Sequence, residues 1–249
     1  MILQNISKAI REQNYYAVAL EFVIVIAGVV IGFQINAWAQ ARTAAEREGV
    51  LLDRLHDEAE ENVGYYDSVL DIYVRNNASR TEAIERFLAD DLEGADREAL
   101  TDAVSSGGIL PAATPPRGVY DEIVSTGQAS TIGDPALRGA IAAYWAEVEF
   151  LQGQIDYLRQ VEIQGRQITD FDFYRAEYDP QSPRQRRHVV DLEAAARSED
   201  FMQYLLGANN RALAMTNWWE AAQYRARVLC AETARLTGQA CDPSEEPPE

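Results

Sequence analysis

The feature that most constrains this chain is an apolar stretch near its N-terminus. From Ala17 to Phe33 the sequence reads AVALEFVIVIAGVVIGF, and Glu21 is the one ionisable residue in it. The run from Tyr16 to Trp38 is long enough to cross about 30 Å of hydrocarbon, and aromatic residues at both ends are typical of the membrane interfaces. The stretch therefore predicts a single transmembrane helix.

Two other interpretations of this stretch stay open. It resembles the buried core helix of a soluble protein in being apolar. It also resembles a cleaved secretory signal, because Ala37-Trp38-Ala39 has the small-x-small form of a cleavage site. Against cleavage, Glu21 interrupts the apolar run and the helical pattern continues through the supposed site. We therefore expect an uncleaved membrane helix.

One face of the predicted membrane helix carries small and polar residues. At about 100° per residue, Glu21, Gly28, Gly32 and Asn36 fall on the same side. The Gly28-xxx-Gly32 pair allows two helix backbones to approach closely, and polar side chains inside a membrane usually face protein rather than lipid. However, glycine is common in membrane helices, and Glu21 is close enough to one end to reach the interface. We expect this face to contact a second copy or another membrane protein.

The remainder of the chain is acidic. The 249 residues include 40 acidic and 22 basic ones, for a formal net charge of −18, and the acidic excess lies after residue 45. Such a charge repels nucleic acid, so we expect no nucleic-acid partner. The predicted division is a membrane anchor over residues 1–40, a helical domain over 41–241 and a disordered, proline-rich tail over 242–249.

Proline positions separate three long helical blocks. Prolines occur at 111–116, 135 and 180–183, and proline breaks helix interiors. Within the blocks, apolar residues recur at spacings of three and four, which is typical of long helices packed nearly parallel in bundles and coiled coils. The blocks cover residues 52–73, 137–158 and 201–229.

The predicted fold is all-α. The first block is expected to continue the membrane helix, and shorter helices are expected near Asp96–Ser105 and Val119–Ser125. No stretch shows clear two-residue alternation, so no sheet is expected. The chain should thus form one N-terminal transmembrane helix that continues into a bundle of three long heptad-patterned helices with short helices between them.

The two cysteines bear on the cellular compartment. Cys230 lies near the end of the last predicted helix and Cys241 just beyond it, with a helix stop at Thr237-Gly238. A chain that turns back there would join the two sulfurs, and a disulfide indicates an oxidising compartment. The alternative is two unrelated thiols in a cytosolic protein. We expect the soluble domain on the extracytoplasmic side of a bacterial inner membrane.

One local cluster has metal-binding residue types. Bundle metal sites use Glu-x-x-His pairs, but they need a matching set on a second helix. The only other histidine is His188, with Asp191 one turn later. A solvated acidic face is the favoured interpretation, and no metal, cofactor or catalytic residue is expected. The cluster consists of Asp53, His56, Asp57 and Glu60.

Two further groups of residues are candidate binding surfaces. Five aromatic residues are expected in the helical core rather than around a ligand pocket: Tyr144, Trp145, Trp218, Trp219 and Tyr224. Three arginines near the second proline break form a basic spot that offsets surrounding carboxylates or docks an acidic partner: Arg184, Arg186 and Arg187. No nucleophile or phosphate-binding motif occurs.

Two stretches resemble an uncharacterised family of bacterial proteins that have a single N-terminal transmembrane helix and a helical soluble domain. The first is ALEFVIVIAGVVIGFQINAW at 19–38, with an E-x-x-L-L-x-x-L run from Glu48 to Leu55. The second runs from Val119-Tyr120-Asp121-Glu122 through Ser125-Thr126-Gly127 to Leu137-Arg138 and Tyr144. The chain departs from the family pattern in having Ile123 after Glu122 and Trp145 after Tyr144. The resemblance implies an anchor and a helical domain, and it implies no activity.

These features together favour a non-catalytic, membrane-anchored interaction, sensing or scaffold module. Two alternatives belong to other classes. An accessory subunit of a membrane transport complex would depend on Glu21 and Asn36. A metal-dependent enzyme would depend on the acidic helix face around Asp53 and His56.

Overall fold

A computed structural model describes residues 15–106, 112–182 and 185–242. The described chain is predominantly helical, which confirms the all-α class. Residues 1–14 of the predicted anchor, Pro111 of the first proline break, Pro183 of the second and the predicted disordered tail after residue 242 lie outside the described residues. The elements are α1 (Tyr15–Ala89), α2 (Arg97–Ser105), α3 (Gly118–Ser125), α4 (Pro135–Gln164), β1 (Tyr174–Tyr178), β2 (Arg186–Val190), α5 (Leu192–Arg197) and α6 (Glu199–Thr237), with 3-10 turns at Gln128–Ser130 and Ile168–Asp170.

Helix α1 is 75 residues long and includes both the apolar stretch and the first heptad block. The prediction that one helix continues from the first into the second is confirmed. By length and composition, it is the one helix among the described residues that is able to cross a membrane. The chain divides into two compact units, Met1–Leu51 and Leu52–Glu249.

The core of the second unit follows the three predicted helical blocks. In each block a line of apolar side chains, here called a seam, runs along one side of the helix. Apolar side chains at three- and four-residue spacings are buried along α1, α4 and α6, and α4 packs extensively against α6. Burial of these seams is the main stabilising term, at roughly 25 cal/mol per Å² of apolar surface removed from water. The largest fully buried side chains in these seams are Leu55, Tyr66, Leu137, Tyr144, Leu151, Ile155, Phe201, Leu205 and Trp219.

Trp219 is the centre of an aromatic cluster. Its indole lies 5.7 Å from the ring centroid of Tyr66, 5.9 Å from that of Tyr73 and 6.1 Å from that of Tyr65. Tilted and edge-on contacts of this kind are favourable beyond the area that they bury. The predicted core position of Trp219 on α6 is therefore the point at which α6 meets the aromatic face of α1.

The helix ends are set by local capping. The Asp96 carboxylate accepts hydrogen bonds from two backbone amides at the start of α2, and Asp134 does the same for α4, which begins with Pro135. Ser198 caps α6, and Gly238 ends it with φ of 76°. Because that left-handed conformation favours glycine, the predicted helix stop at Thr237-Gly238 is confirmed.

The expectation that the chain contains no sheet is wrong. Strands β1 and β2 pair antiparallel, with Tyr174 opposite Val190 and Tyr178 opposite Arg186. Only the base of this hairpin is buried. Val190 belongs to an apolar cluster with residues of α2, α5 and α6, whereas Tyr178 is exposed. A hairpin that buries one end rather than one face leaves no alternating apolar pattern in the sequence, so the usual strand signal is missing.

We expect Trp219→Ala to destabilise the protein by about 3–5 kcal/mol, because it leaves a cavity where three tyrosine rings now pack. The matched control is Trp218→Ala, since that neighbouring indole is only partly buried and contacts Phe150. Its effect should be less than half as large. Urea unfolding of the detergent-solubilised chain, followed by circular dichroism, measures both. Equal losses for the two variants would contradict the central role of Trp219.

Candidate functional site

The predicted membrane-helix face lies on the exposed part of α1. A Cβ atom built onto Gly28 or Gly32 meets no atom within 4 Å, and Asn36 is exposed. Glu21 is partly exposed on the same helix. Within the described residues, the two glycines thus have open space where a second helix would approach.

The predicted metal cluster instead holds the C-terminal segment. His56 is completely buried, with its Nδ1 2.9 Å from Thr233 Oγ1 and its Nε2 3.0 Å from the carbonyl oxygen of Ala240. A carbonyl only accepts, so Nε2–H donates to Ala240. The Thr233 hydroxyl, which contacts Nδ1, itself donates to the Cys230 carbonyl oxygen at 2.9 Å. The expectation of a solvated face is therefore wrong for His56, because the chain after α6 returns to cover it.

Two carboxylates and the disulfide complete this arrangement, which we call the C-terminal clasp (His56, Asp53, Glu60 and residues 239–242, with Cys230–Cys241). Asp53 accepts from the Gln239 side chain at 3.0 Å, and Glu60 accepts from the Asp242 backbone amide at 2.7 Å. The structure joins Cys230 to Cys241. In the described part of the chain, no group of three or more histidine, cysteine or acidic side chains is arranged to hold a metal ion.

The other sequence candidates are separated by the fold. Tyr144, Trp145 and Trp219 are buried in the core as expected. The expectation is wrong for Tyr224, which is exposed, so the five aromatics do not share a pocket. His188 lies 2.7 Å from the Tyr174 hydroxyl, on the hairpin. On the hairpin's other face, Glu177 forms ion pairs with both Arg175 and Arg187. Asp191 caps α5. Arg184 lies outside the described residues.

A buried arginine is the main polar feature that the sequence analysis missed. Arg80 is 3% exposed, and its guanidinium donates to Asn77 Oδ1 at 3.1 Å and to Ser106 Oγ at 3.4 Å. Its Nε has no hydrogen-bond partner, and among the described residues no carboxylate lies within ion-pair distance. Burial lowers the pKa of Arg80. A buried cation without an anionic partner lowers the stability of the fold, so a core built for stability alone would have an apolar residue at this position.

A cleft of about 350 Å³ lies between the end of α4 and the first half of α6. At its wall, Glu162 is 8% exposed, and its Oε2 accepts from Arg211 Nη2 at 2.8 Å while its Oε1 has no hydrogen-bond partner. A second ion pair, between Arg166 and Asp200 at 2.8 Å, lines the same cleft. Two ion pairs therefore line the cleft, and Glu162 Oε1 is enclosed in the protein without a hydrogen bond.

The hydroxyl of Tyr204 lies within electrostatic range of charged groups of the cleft and of the buried Arg80. It lines the cleft, and burial raises the pKa of its hydroxyl to about 12, with Glu162 adding to the rise and Arg211 and Arg80 opposing it. At neutral pH the phenol is therefore protonated and able to donate. The region around Tyr204 thus combines a proton donor with charged groups from three helices.

The seam pattern contains a signal for these residues. Continuing the first seam beyond Tyr73 at the same spacing gives Asn77 and Arg80, and continuing the second beyond Leu158 gives Glu162. Polar residues in a core register mark buried polar positions. Extending each seam until the helix ended would have identified them.

Comparison of this chain with protein-family models, with curated proteins and with solved structures gives no match.

We expect His56→Ala to loosen the C-terminal clasp, because it removes the hydrogen bonds to Thr233 and Ala240. Alkylation of Cys230 and Cys241 under mild reductant, read by mass spectrometry, should become at least ten times faster. Asp57→Ala is the matched control, since Asp57 is exposed on the same turn of α1. Unchanged alkylation in His56→Ala, or loss of a stoichiometric metal ion in that variant, would contradict the structural role of His56.

Proposed function

We propose that this protein is a single-pass, membrane-anchored helical module, without catalysis of its own, that senses a ligand or presents a surface to partners. The observation that supports the anchor is exposure of the apolar part of α1. Large apolar side chains there are between 45% and 61% exposed: Val23, Ile24, Val25, Ile26, Val29, Val30 and Ile31. A soluble monomer rarely exposes so extended an apolar surface, whereas a bilayer makes that exposure favourable.

The proposed location is a bacterial inner membrane with the second unit outside the cytoplasm. The Cys230–Cys241 disulfide supports this side, because cytosolic thiols are kept reduced. Membership of the uncharacterised single-helix family is part of the same proposal and adds no activity to it. Free thiols at both cysteines in intact cells would contradict the proposed side without affecting the anchor.

The anchor is tested by charge placed in the apolar part of α1. We expect Ile24→Arg with Val29→Arg to release the full chain from carbonate-washed membranes, since each arginine near a bilayer centre costs roughly 2.5–3.5 kcal/mol on insertion scales. Ile72→Arg with Val74→Arg is the control, because those side chains are similarly exposed on the same helix outside the apolar stretch. A wild-type chain recovered in the soluble fraction would contradict the anchor.

The proposed partner is a second copy, and the proposed contact is the face with Glu21, Gly28, Gly32 and Asn36. It is supported by the open space beside both glycines. We expect Gly28→Ile to reduce formaldehyde-crosslinked dimer in membranes at least five-fold, because the larger side chain prevents close helix approach. Ala27→Ile, off this face, should leave the dimer yield unchanged. Crosslinks to a different protein instead would favour the accessory-subunit alternative.

A further inference from the structure

We propose that the C-terminal clasp responds to pH and binds the segment after Gly238 more tightly when both ring nitrogens of His56 carry a proton. The inference rests on the sensing role proposed above and deepens it by naming the proton as the ligand. Histidine is the side chain whose charge ordinarily changes between about pH 5 and 8. His56 is one of two histidines in the chain, and it is completely buried where the returning segment meets α1.

Both nitrogens of the His56 ring face oxygen atoms that accept hydrogen bonds. The Ala240 carbonyl oxygen, 3.0 Å from Nε2, only accepts, so Nε2 carries a proton. The Thr233 hydroxyl has a single proton and donates it to the Cys230 carbonyl oxygen at 2.9 Å. Its oxygen, 2.9 Å from Nδ1, is therefore left to accept a proton carried by Nδ1. Only the doubly protonated, positively charged ring satisfies both contacts.

A carboxylate lies beside the same ring. Glu60 Oε1 is 3.6 Å from His56 Nε2 and belongs to the next turn of α1. A buried charge is costly unless an opposite charge and hydrogen bonds accompany it, and here the ring has both. The same Glu60 oxygen accepts from the backbone amide of Asp242 at 2.7 Å. The charge of the ring is thus balanced by a group that also binds the returning segment.

The groups around the ring come from α1, from α6 and from the returning segment. The disulfide-bonded cysteines do not titrate. Carboxylates ordinarily change charge below about pH 5, so among these groups the ring is the one that titrates near neutral pH. The groups are Asp53 and Glu60 on α1, Cys230 and Thr233 on α6, and Gln239, Ala240, Cys241 and Asp242 in the segment.

Loss of the second proton weakens the closed clasp. A neutral ring that keeps its proton on Nε2 has a lone pair on Nδ1, facing the Thr233 oxygen. Either these two lone pairs repel, or the Thr233 hydroxyl turns to the ring and gives up its hydrogen bond to Cys230. In both cases the attraction between the ring and Glu60 is lost. Because the disulfide keeps Cys241 on α6, opening at higher pH uncovers His56 without releasing the segment completely.

The direct test is nitrogen NMR of the full, disulfide-bonded chain in detergent micelles, with isotopically labelled histidine. His188→Gln leaves His56 as the one histidine, so its ring signals are assigned without ambiguity. We expect a proton on both ring nitrogens at about pH 5.5 and on Nε2 alone at about pH 8. A ring without a proton on Nδ1 at the lower pH, or with protons on both nitrogens at the higher pH, would overturn the inference.

The role of the carboxylate is tested by Glu60→Gln, with Glu61→Gln at the exposed neighbouring position as the matched control. Glutamine keeps the oxygen that accepts from the Asp242 amide and removes the charge. Glu60→Gln should lower the urea midpoint roughly twice as much at about pH 5.5 as at about pH 8, because the ring is charged at the lower pH. Glu61→Gln should change the midpoint equally at both. Equal losses at the two pH values in Glu60→Gln would also overturn the inference.

These measurements separate the pH response from the proposed function. They use the purified chain with its disulfide formed, so their outcome does not depend on which side of the membrane the second unit occupies. The NMR measurement needs neither substitution of Glu60 nor of His56, and it stays decisive if Glu60→Gln fails to fold. Failure of the membrane fractionation would contradict the anchor alone, and unchanged ring protonation would contradict the pH response alone.

Discussion

Burial of the aromatic seam around Trp219 is the interaction on which the second unit depends. Tyr66 and Tyr73 on α1 contact this indole on α6, and Tyr144 on α4 contacts Tyr66. Three long helices are thereby fixed in rotation about their own axes. Because side chains recur every three or four residues, fixing one point of a seam determines which residues face inward along the rest of it. The polar positions at either end of the seams follow from this register.

The same register carries polar residues into the core at some distance from Trp219. Arg80 and Glu162 occupy seam positions, and both are buried with part of their hydrogen-bonding capacity unused. An interior built only for stability would place leucine there, since burying a charge is costly. Natural proteins depart from local rules mainly at functional or strained sites. Arg80 and Glu162 are two such departures.

In the C-terminal clasp, a histidine and two carboxylates that could bind a metal ion instead bind a returning segment of the chain. Histidine and carboxylates on one helix face are compatible with metal binding, yet here His56, Asp53 and Glu60 bind the chain that returns after Gly238. The disulfide closes a short loop and, in the chain-entropy account, contributes about 3 kcal/mol by restricting the unfolded chain. His56 on α1 and the disulfide to Cys230 on α6 together hold the segment that follows Gly238 against both helices.

The sequence by itself determined the features that depend on neighbouring residues: the apolar stretch, the three seams and the stop at Gly238. Helix periodicity and a glycine helix stop are local, so they can be read from the chain directly. Tertiary structure alone decided that Ala240 covers His56, that Glu162 meets Arg211, and that β1 and β2 form a hairpin anchored at its base. The first two contacts join residues distant in sequence, and the hairpin is buried at one end only. The packing of the helices brings the distant residues together, and the periodicity of the sequence does not indicate which of them will meet.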